Sequence, residues 1–334
     1  MIDDDTLRTL AASQHHCFTL SQAIACGYPD RQVRRFVQGG LWLPAAARGV
    51  YAEAAVVATL DATERHLLAV HARLLQLGRG WVAARRSAAL GYGLPLLGDL
   101  PARPQLARDK HVVSDRGRNR FERRSSLPPE DLGTANGLPA TALARTVVDL
   151  ARDESFRSGL VVADGSLRQG LDPEVLRAQA DRSRGWPGGL QALRVVRFAD
   201  GRAESAFESI SRWRMHLEGL SAPEPQVEVY LGTQLLARTD FFWREFNLVG
   251  ESDGKGKYRM DPERGYAEKL QRERLENVGL TVVSWSWPAA YRDDGDLGAT
   301  IRRGMARGAL NTVDPRVRFV STTVADALRR TRPA

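Results

Sequence analysis

Three strand-like runs in close succession, QVEVYL, QLLARTDFFW and FNLVGESD, constrain the fold of this chain more than any other feature. They are followed by the charged stretch PERGYAEKLQRERLENVG and then by LTVVSWSW. Val, Tyr, Phe, Trp and Thr favour pleated strands, whereas a long run rich in Glu, Lys, Arg and Leu favours a helix. Ahead of them, AESAFESISRWRMHLEGL sets Phe207, Ile210, Trp213 and Leu217 at helical spacing. The expected order is therefore αβββαβ, with one more helix from about Leu297 to Arg307.

Carboxylates interrupt these apolar runs. If the second and third strands form a hairpin turning near Arg244 and Glu245, Asp240 falls opposite Val249 and Arg238 opposite Glu251. Side chains alternate with period two, so Asp240, Glu251 and Asp253 share one sheet face. Three carboxylates gathered in this way repel one another unless a cation lies between them, and Mg²⁺ or Mn²⁺ accepts a carboxylate pair together with water and phosphate oxygens. Asp240 and Glu251 are the expected metal ligands, Asp253 assists, and Glu208 on the preceding helix is a fourth candidate. Lys255 and Lys257 follow directly, Gly254 and Gly256 permit close backbone approach to a phosphate, and Lys269 is a further cation. A metal, an activated water and a positive group are what phosphodiester hydrolysis requires. The alternative is an ordinary Asp-Gly turn with two solubilising lysines.

At the other end, TLRTLAAS, TLSQAIACG and DRQVRRFVQGG predict three short helices. In the third, Asp30 is the expected N-cap, and Val33, Phe36 and Val37 form a core stripe. Arg31, Gln32, Arg34, Arg35 and Gln38 occupy its other face. LWLPAAARGVYAE then suits a β-hairpin wing carrying Arg48. This is a winged helix-turn-helix pattern, in which the helix enters the major groove and the basic wing touches the neighbouring backbone. The alternatives to DNA binding are a solvated helix face and a winged-helix protein-interaction module.

A length of 334 residues calls for two or three domains. The expected division is a winged-helix domain over 1–55, a mixed α/β connecting domain over 56–200, the αβββαβ domain over 201–310 and a tail over 311–334. In the connecting domain ARPQLARDKHVVSDR and NRFERRSSL resemble strands divided by a polar turn, and Asp149 and Asp164 are expected to be exposed or capping. The net charge of +8 favours an acidic partner, double-stranded DNA before a membrane, since no run of about 18 apolar residues occurs. The start MIDDDTLRTL is unlike a signal peptide, so a cytoplasmic location is expected. Cys17 and Cys26, beside His15 and His16, lack metal-ligand spacing and are expected to pack as small hydrophobes.

On the segments AFESISR, RTDFFW, LVGESDGKGKY, AEKLQRERLENVG and GLTVVSWSW, the C-terminal third resembles the PD-(D/E)XK nuclease superfamily, specifically domains similar to the very-short-patch repair endonuclease. LSQAIACGYPDRQVRRFVQGGLW and RGVYAE resemble the winged-helix domain of AbiEi-type antitoxins. The first resemblance implies a restriction-endonuclease-like fold, metal ligation by Asp240 and Glu251, and a helix acid at Glu208. The superfamily's usual lysine two positions after the Glu is here Asp253, which leaves Lys255, Lys257 and Lys269 as competing catalytic cations. The second resemblance implies repression through DNA binding with a catalytically inactive nuclease fold, and a toxin as partner. The oligomeric state stays open.

Overall fold

The computed structural model describes residues 4–109, 122–253 and 262–322. The chain forms two compact units, Met1–Glu154 with Pro173–Leu193, and Ser155–Asp172 with Arg194–Ala334. None of the described helices is long and apolar enough to cross a membrane.

The first unit opens with α1 (Asp4–Ser13), β1 (Cys17–Thr19), α2 (Leu20–Ala25), α3 (Asp30–Gln38), β2 (Trp42–Pro44) and β3 (Val50–Glu53). The strands form an antiparallel sheet in the order β1-β3-β2, the wing of a winged helix. Thr19 and Gln22 close a capping box that starts α2. Asp30 is not the N-cap of α3: Pro29 takes that place without a side-chain bond, and Asp30 is the first helical residue, ion-paired with Arg34 at 2.7 Å. Its carboxylate still favours the helix start, through the dipole rather than through a cap. Trp42 centres the core, with Phe18, Tyr28 and Phe36 packed edge-on at 4.7, 5.0 and 5.1 Å. Cys17 and Cys26 are buried, and burial pushes the Cys17 thiol up to about 12, which leaves it inert.

The same unit continues through α4 (Ala54–Thr59), α5 (Ala62–Leu77), β4 (Trp81–Ala83), α6 (Arg85–Gly91), β5 (Leu106–Asp109), β6 (Glu122–Ser125), β7 (Leu132–Ala135), β8 (Leu138–Thr141) and α7 (Leu143–Asp153). Its second sheet has the order β6-β5-β4-β8-β7. β5 and β6 pair in parallel, and the polar turn DRGRN expected between the two strands lies outside the described residues. The true hairpin joins β7 to β8 through Asn136 and Gly137, whose φ values of 47° and 75° are those of a tight Asn-Gly turn. Asp149 is buried instead of exposed, because Arg145 and Arg152 reach it at 2.8 and 2.7 Å. The chain then passes to the second unit for α8 (Phe156–Arg168), returns for α9 (Pro173–Arg182), and leaves again within α10 (Gly189–Phe198).

In the second unit α11 (Ala206–Leu217) precedes β9 (Glu224–Leu231), β10 (Gln234–Trp243), β11 (Leu248–Asp253), α12 (Pro262–Asn277), β12 (Thr281–Ser286), α13 (Trp287–Tyr291), α14 (Leu297–Gly308) and β13 (Val317–Ser321). The sheet order is β12-β11-β10-β9-β13, with β11 and β12 parallel and the other pairs antiparallel. The α, β, β, β, α, β succession is present, making this a mixed α/β unit. β13 adds an edge strand whose Phe319 stacks on Phe242 at 4.5 Å. On one face Leu275 of α12 packs with Phe242, Val249 and Val282. On the other, Trp285 donates to Ser211 of α11 at 2.9 Å, and Gly304 of α14 lies against Val283 and Leu248. Gly250 belongs to this second face, where a Cβ would stand 2.7 Å from the Trp285 ring. Asp164 on α8 is also buried, accepting the Asp200 N–H at 2.7 Å, and burial raises its carboxyl to about 6.

Candidate functional site

The β10–β11 hairpin does not have the expected register. Phe241 pairs with Gly250, Phe242 with Val249 and Trp243 with Leu248, so Asp240 is not opposite Val249. The turn uses four residues, a 3₁₀ turn over Arg244–Phe246 followed by Asn247 at φ 45°, which shifts the pairing by two. Arg238 is not opposite Glu251 either: it pairs with Glu228 on β9 and holds Glu204 through two contacts of 2.6 and 2.8 Å. An even shift preserves the face, and the register continued by one step sets Asp240 beside Glu251.

Each acid has its own surroundings. Asp240 accepts from the backbone N–H and the hydroxyl of Ser252 at 2.8 and 2.5 Å, both through Oδ2. Burial raises its carboxyl, and the two Ser252 bonds oppose that rise. Glu251 accepts from Gln271 of α12 at 3.3 Å through Oε1; burial, and secondarily Asp240, lift it to about 6. Glu208 is buried at the start of α11, where burial first and Asp240 second raise it. Its Oε1 takes the Ser205 hydroxyl at 2.8 Å, and its Oε2 takes the Glu204 N–H at 2.9 Å and the Gln226 amide at 2.8 Å. Ser205 in turn caps the Glu208 N–H. Glu208 is thus a helix-start clamp with both oxygens engaged, not an open ligand. Gln226 holds its amide there from a left-handed backbone at φ 57°.

Among the described residues Asp240 Oδ1 and Glu251 Oε2 have no hydrogen-bond donor. Two such oxygens on neighbouring strands fit the carboxylate share of a hard divalent cation, which takes its other ligands from water and phosphate. They do not form a complete cage: no group of three or more His, Cys, Asp or Glu among the described residues is arranged to hold a metal ion. The Asp253 side chain, Gly254, Lys255, Gly256 and Lys257 lie outside the described residues. Lys269 is exposed on α12 and pairs with Glu273 at 3.8 Å. Ser252 and Gln271, which orient the two acids, carry no signal in a motif search because they are ordinary polar residues; only the register identifies them.

In the winged helix, Val33 of α3 is buried, and Phe36 packs on Trp42. This turns Arg31, Arg34, Arg35 and Gln38 outward, all exposed, while Gln32 is partly covered. Arg34 is engaged by Asp30; Arg31 and Arg35, four apart on one face, form no ion pair among the described residues. Arg48 is exposed in the loop between β2 and β3, next to Gly49 at φ 75°.

Residues 5–54, the span of this winged helix, match the family model described as "Transcriptional regulator, AbiEi antitoxin". Two Mycobacterium tuberculosis proteins, the uncharacterized proteins MT2308 (strain CDC 1551 / Oshkosh) and Rv2248 (strain ATCC 25618 / H37Rv), are each 32% identical over 181 residues. The match covers 54% of this chain and 66% of theirs, just under two thirds of their length. A crystal structure of the RV2827C protein from Mycobacterium tuberculosis aligns with a TM-score of 0.40 at 16% identity, covering 57% of this chain and 75% of that one.

Proposed function

We propose that the chain is a DNA-binding transcriptional regulator of the antitoxin type, with α3 as the element that enters the major groove. The observation that carries this is the outward face of α3, where Arg31, Arg35 and Gln38 stand exposed with no side-chain partner among the described residues, on a helix anchored from behind by Val33 and Phe36. The match of residues 5–54 to an antitoxin and regulator family supports it. Arginine and glutamine at that spacing reach base edges and phosphates, and Arg48 on the wing adds a backbone contact. The antitoxin description makes a toxin the natural protein partner.

Fluorescence anisotropy with a labelled duplex taken from upstream of the chain's own coding sequence tests the reading. Arg31→Ala with Arg35→Ala is expected to weaken binding at least about tenfold, since each lost base or phosphate contact costs about 1–3 kcal/mol. Unchanged affinity in that double variant would remove α3 from the interface.

A second reading rests on the Asp240–Glu251 pair: a unit that hydrolyses phosphodiester bonds. In it the two carboxylates hold Mg²⁺ or Mn²⁺, which supplies Lewis acidity and an activated water when bound. Ser252 and Gln271 orient the pair. The regulator reading is preferred because the family match falls on the winged helix.

A further inference from the structure

Beyond the winged helix, the second unit carries a basic cleft. It lies between α12 and α14 at the outer side of β12, the terminal strand of its sheet, and has a volume of about 520 Å³. Arg272, Arg303, Arg307, Ser284 and Thr300 give it its polar lining; two valines and an alanine complete the wall. Among the described residues no carboxylate and no aromatic ring lines it. Arg272 donates to the Val282 carbonyl at 2.7 Å and to Glu276 at 3.1 Å. Arg303 contacts the Thr300 hydroxyl at 3.2 Å, and Arg307 has no ion pair among the described residues. Arg303 and Arg307 are four apart on α14, which sets them about 6 Å apart on one helix face.

Arg272 is neutralised by Glu276, but Arg303 and Arg307 have no carboxylate partner among the described residues and repel one another, and an anion with several acceptor oxygens relieves that repulsion through charge-assisted bonds. We propose that this cleft binds phosphate groups of a nucleic-acid backbone. Its described lining of arginines, two hydroxyls and small apolar side chains suits contact with phosphate charge more than stacking on bases. A peptide strand added to the β12 edge fits less well, because the Arg272 guanidinium already occupies the Val282 carbonyl on that edge. The choice of nucleic acid as occupant rests on the regulator reading; the cleft itself is independent of α3.

The test uses the full chain and a labelled duplex titrated across a range of salt concentrations. Arg303→Ala with Arg307→Ala is expected to lower affinity several-fold and to reduce the slope of log K against log salt by about 2, at about 0.9 per phosphate contact. Arg303→Lys with Arg307→Lys, which keeps the charges, should recover most of the slope. The single Arg307→Ala variant, which breaks no described contact, should lose about half of what the alanine pair loses. Arg31→Ala with Arg35→Ala is run alongside. A cleft variant that binds like the wild type overturns the inference, whatever the α3 variant does. Loss in the cleft variant with a silent α3 variant leaves the cleft standing and removes the winged-helix reading. A thermal shift by inorganic phosphate that needs Arg303 and Arg307, with duplex binding unaltered, would make this a free-phosphate site and overturn it as well.

Discussion

At the scale of single residues, buried charge determines what this chain tolerates. Arg145 is 1% exposed and satisfies its guanidinium on Asp131 at 2.5 Å, Asp149 at 2.8 Å and the Ser126 carbonyl at 3.0 Å, with the Trp186 ring 4.6 Å away. Burial raises the Asp149 carboxyl, and Arg145 opposes that rise. A buried pair stabilises little relative to apolar replacements, but removing one partner strands the other charge. Arg145→Ala leaves Asp131 to Arg182 and Asp149 to Arg152. It is expected to cost about 3–5 kcal/mol in denaturant unfolding of the first unit. A loss under about 1 kcal/mol would show that the two remaining arginines suffice. The unit's tolerance of Arg145→Met, which keeps packing but not charge, should be nearly as poor.

At the scale of elements, the acid pair on β10 and β11 makes stability depend on pH and on cations. Glu251 titrates near 6 in the fold against an ordinary 4.5, so the folded state holds its proton more tightly than the unfolded chain does. The sign follows: this group favours folding below about pH 4.5, and the advantage is lost as pH rises through about 6. Above that the ionised carboxylate costs about 2 kcal/mol, from roughly 1.5 pH units at 1.36 kcal/mol each. Glu251→Gln should therefore raise the melting temperature at pH 7.5 in the absence of divalent ions. Mg²⁺ should raise it in the wild type but not in Glu251→Gln or Asp240→Asn, and plasmid nicking, if present, should vanish in both variants. No Mg²⁺ shift in the wild type would sink the hydrolytic reading. Much of this was legible in the sequence: the order of the elements in the second unit, the shared face of Asp240 and Glu251, and the outward arginines of α3. The register was not, because the alternation of FFW and LVG fixes parity while the four-residue turn fixes the offset. The β7–β8 hairpin went unread: Asn136-Gly137 is a turn signal, but each flanking strand has only four residues, and LGTA has no alternating pattern to mark it as a strand. The buried state of Asp149 and Asp164 depends on arginines distant in sequence from the Asp164 site or one turn from Asp149, and a charged helix position looks solvated until its partners are known.

At the scale of the whole molecule, a net charge of +8 attracts any polyanion, so binding to DNA by itself distinguishes nothing. What distinguishes a built interface from diffuse attraction is whether the position of a charge matters more than its number. Arg79 and Arg184 are exposed, with no ion pair among the described residues, and belong to neither α3 nor the cleft. Arg79→Ala with Arg184→Ala lowers the formal net charge from +8 to +6, as does Arg31→Ala with Arg35→Ala, each by removing two arginines. If contacts are local, the first variant should bind duplex within about twofold of the wild type and keep its salt slope, because charges that touch no phosphate release no counterions. The second should lose about tenfold and about 2 from the slope. Association rates should fall slightly and equally in both, since steering responds to the summed field, so the difference between them must lie in dissociation. Equal losses of affinity in the two variants would mean that the molecule binds DNA as a diffuse cation, and the assignment of α3 as a reading helix would fail with it.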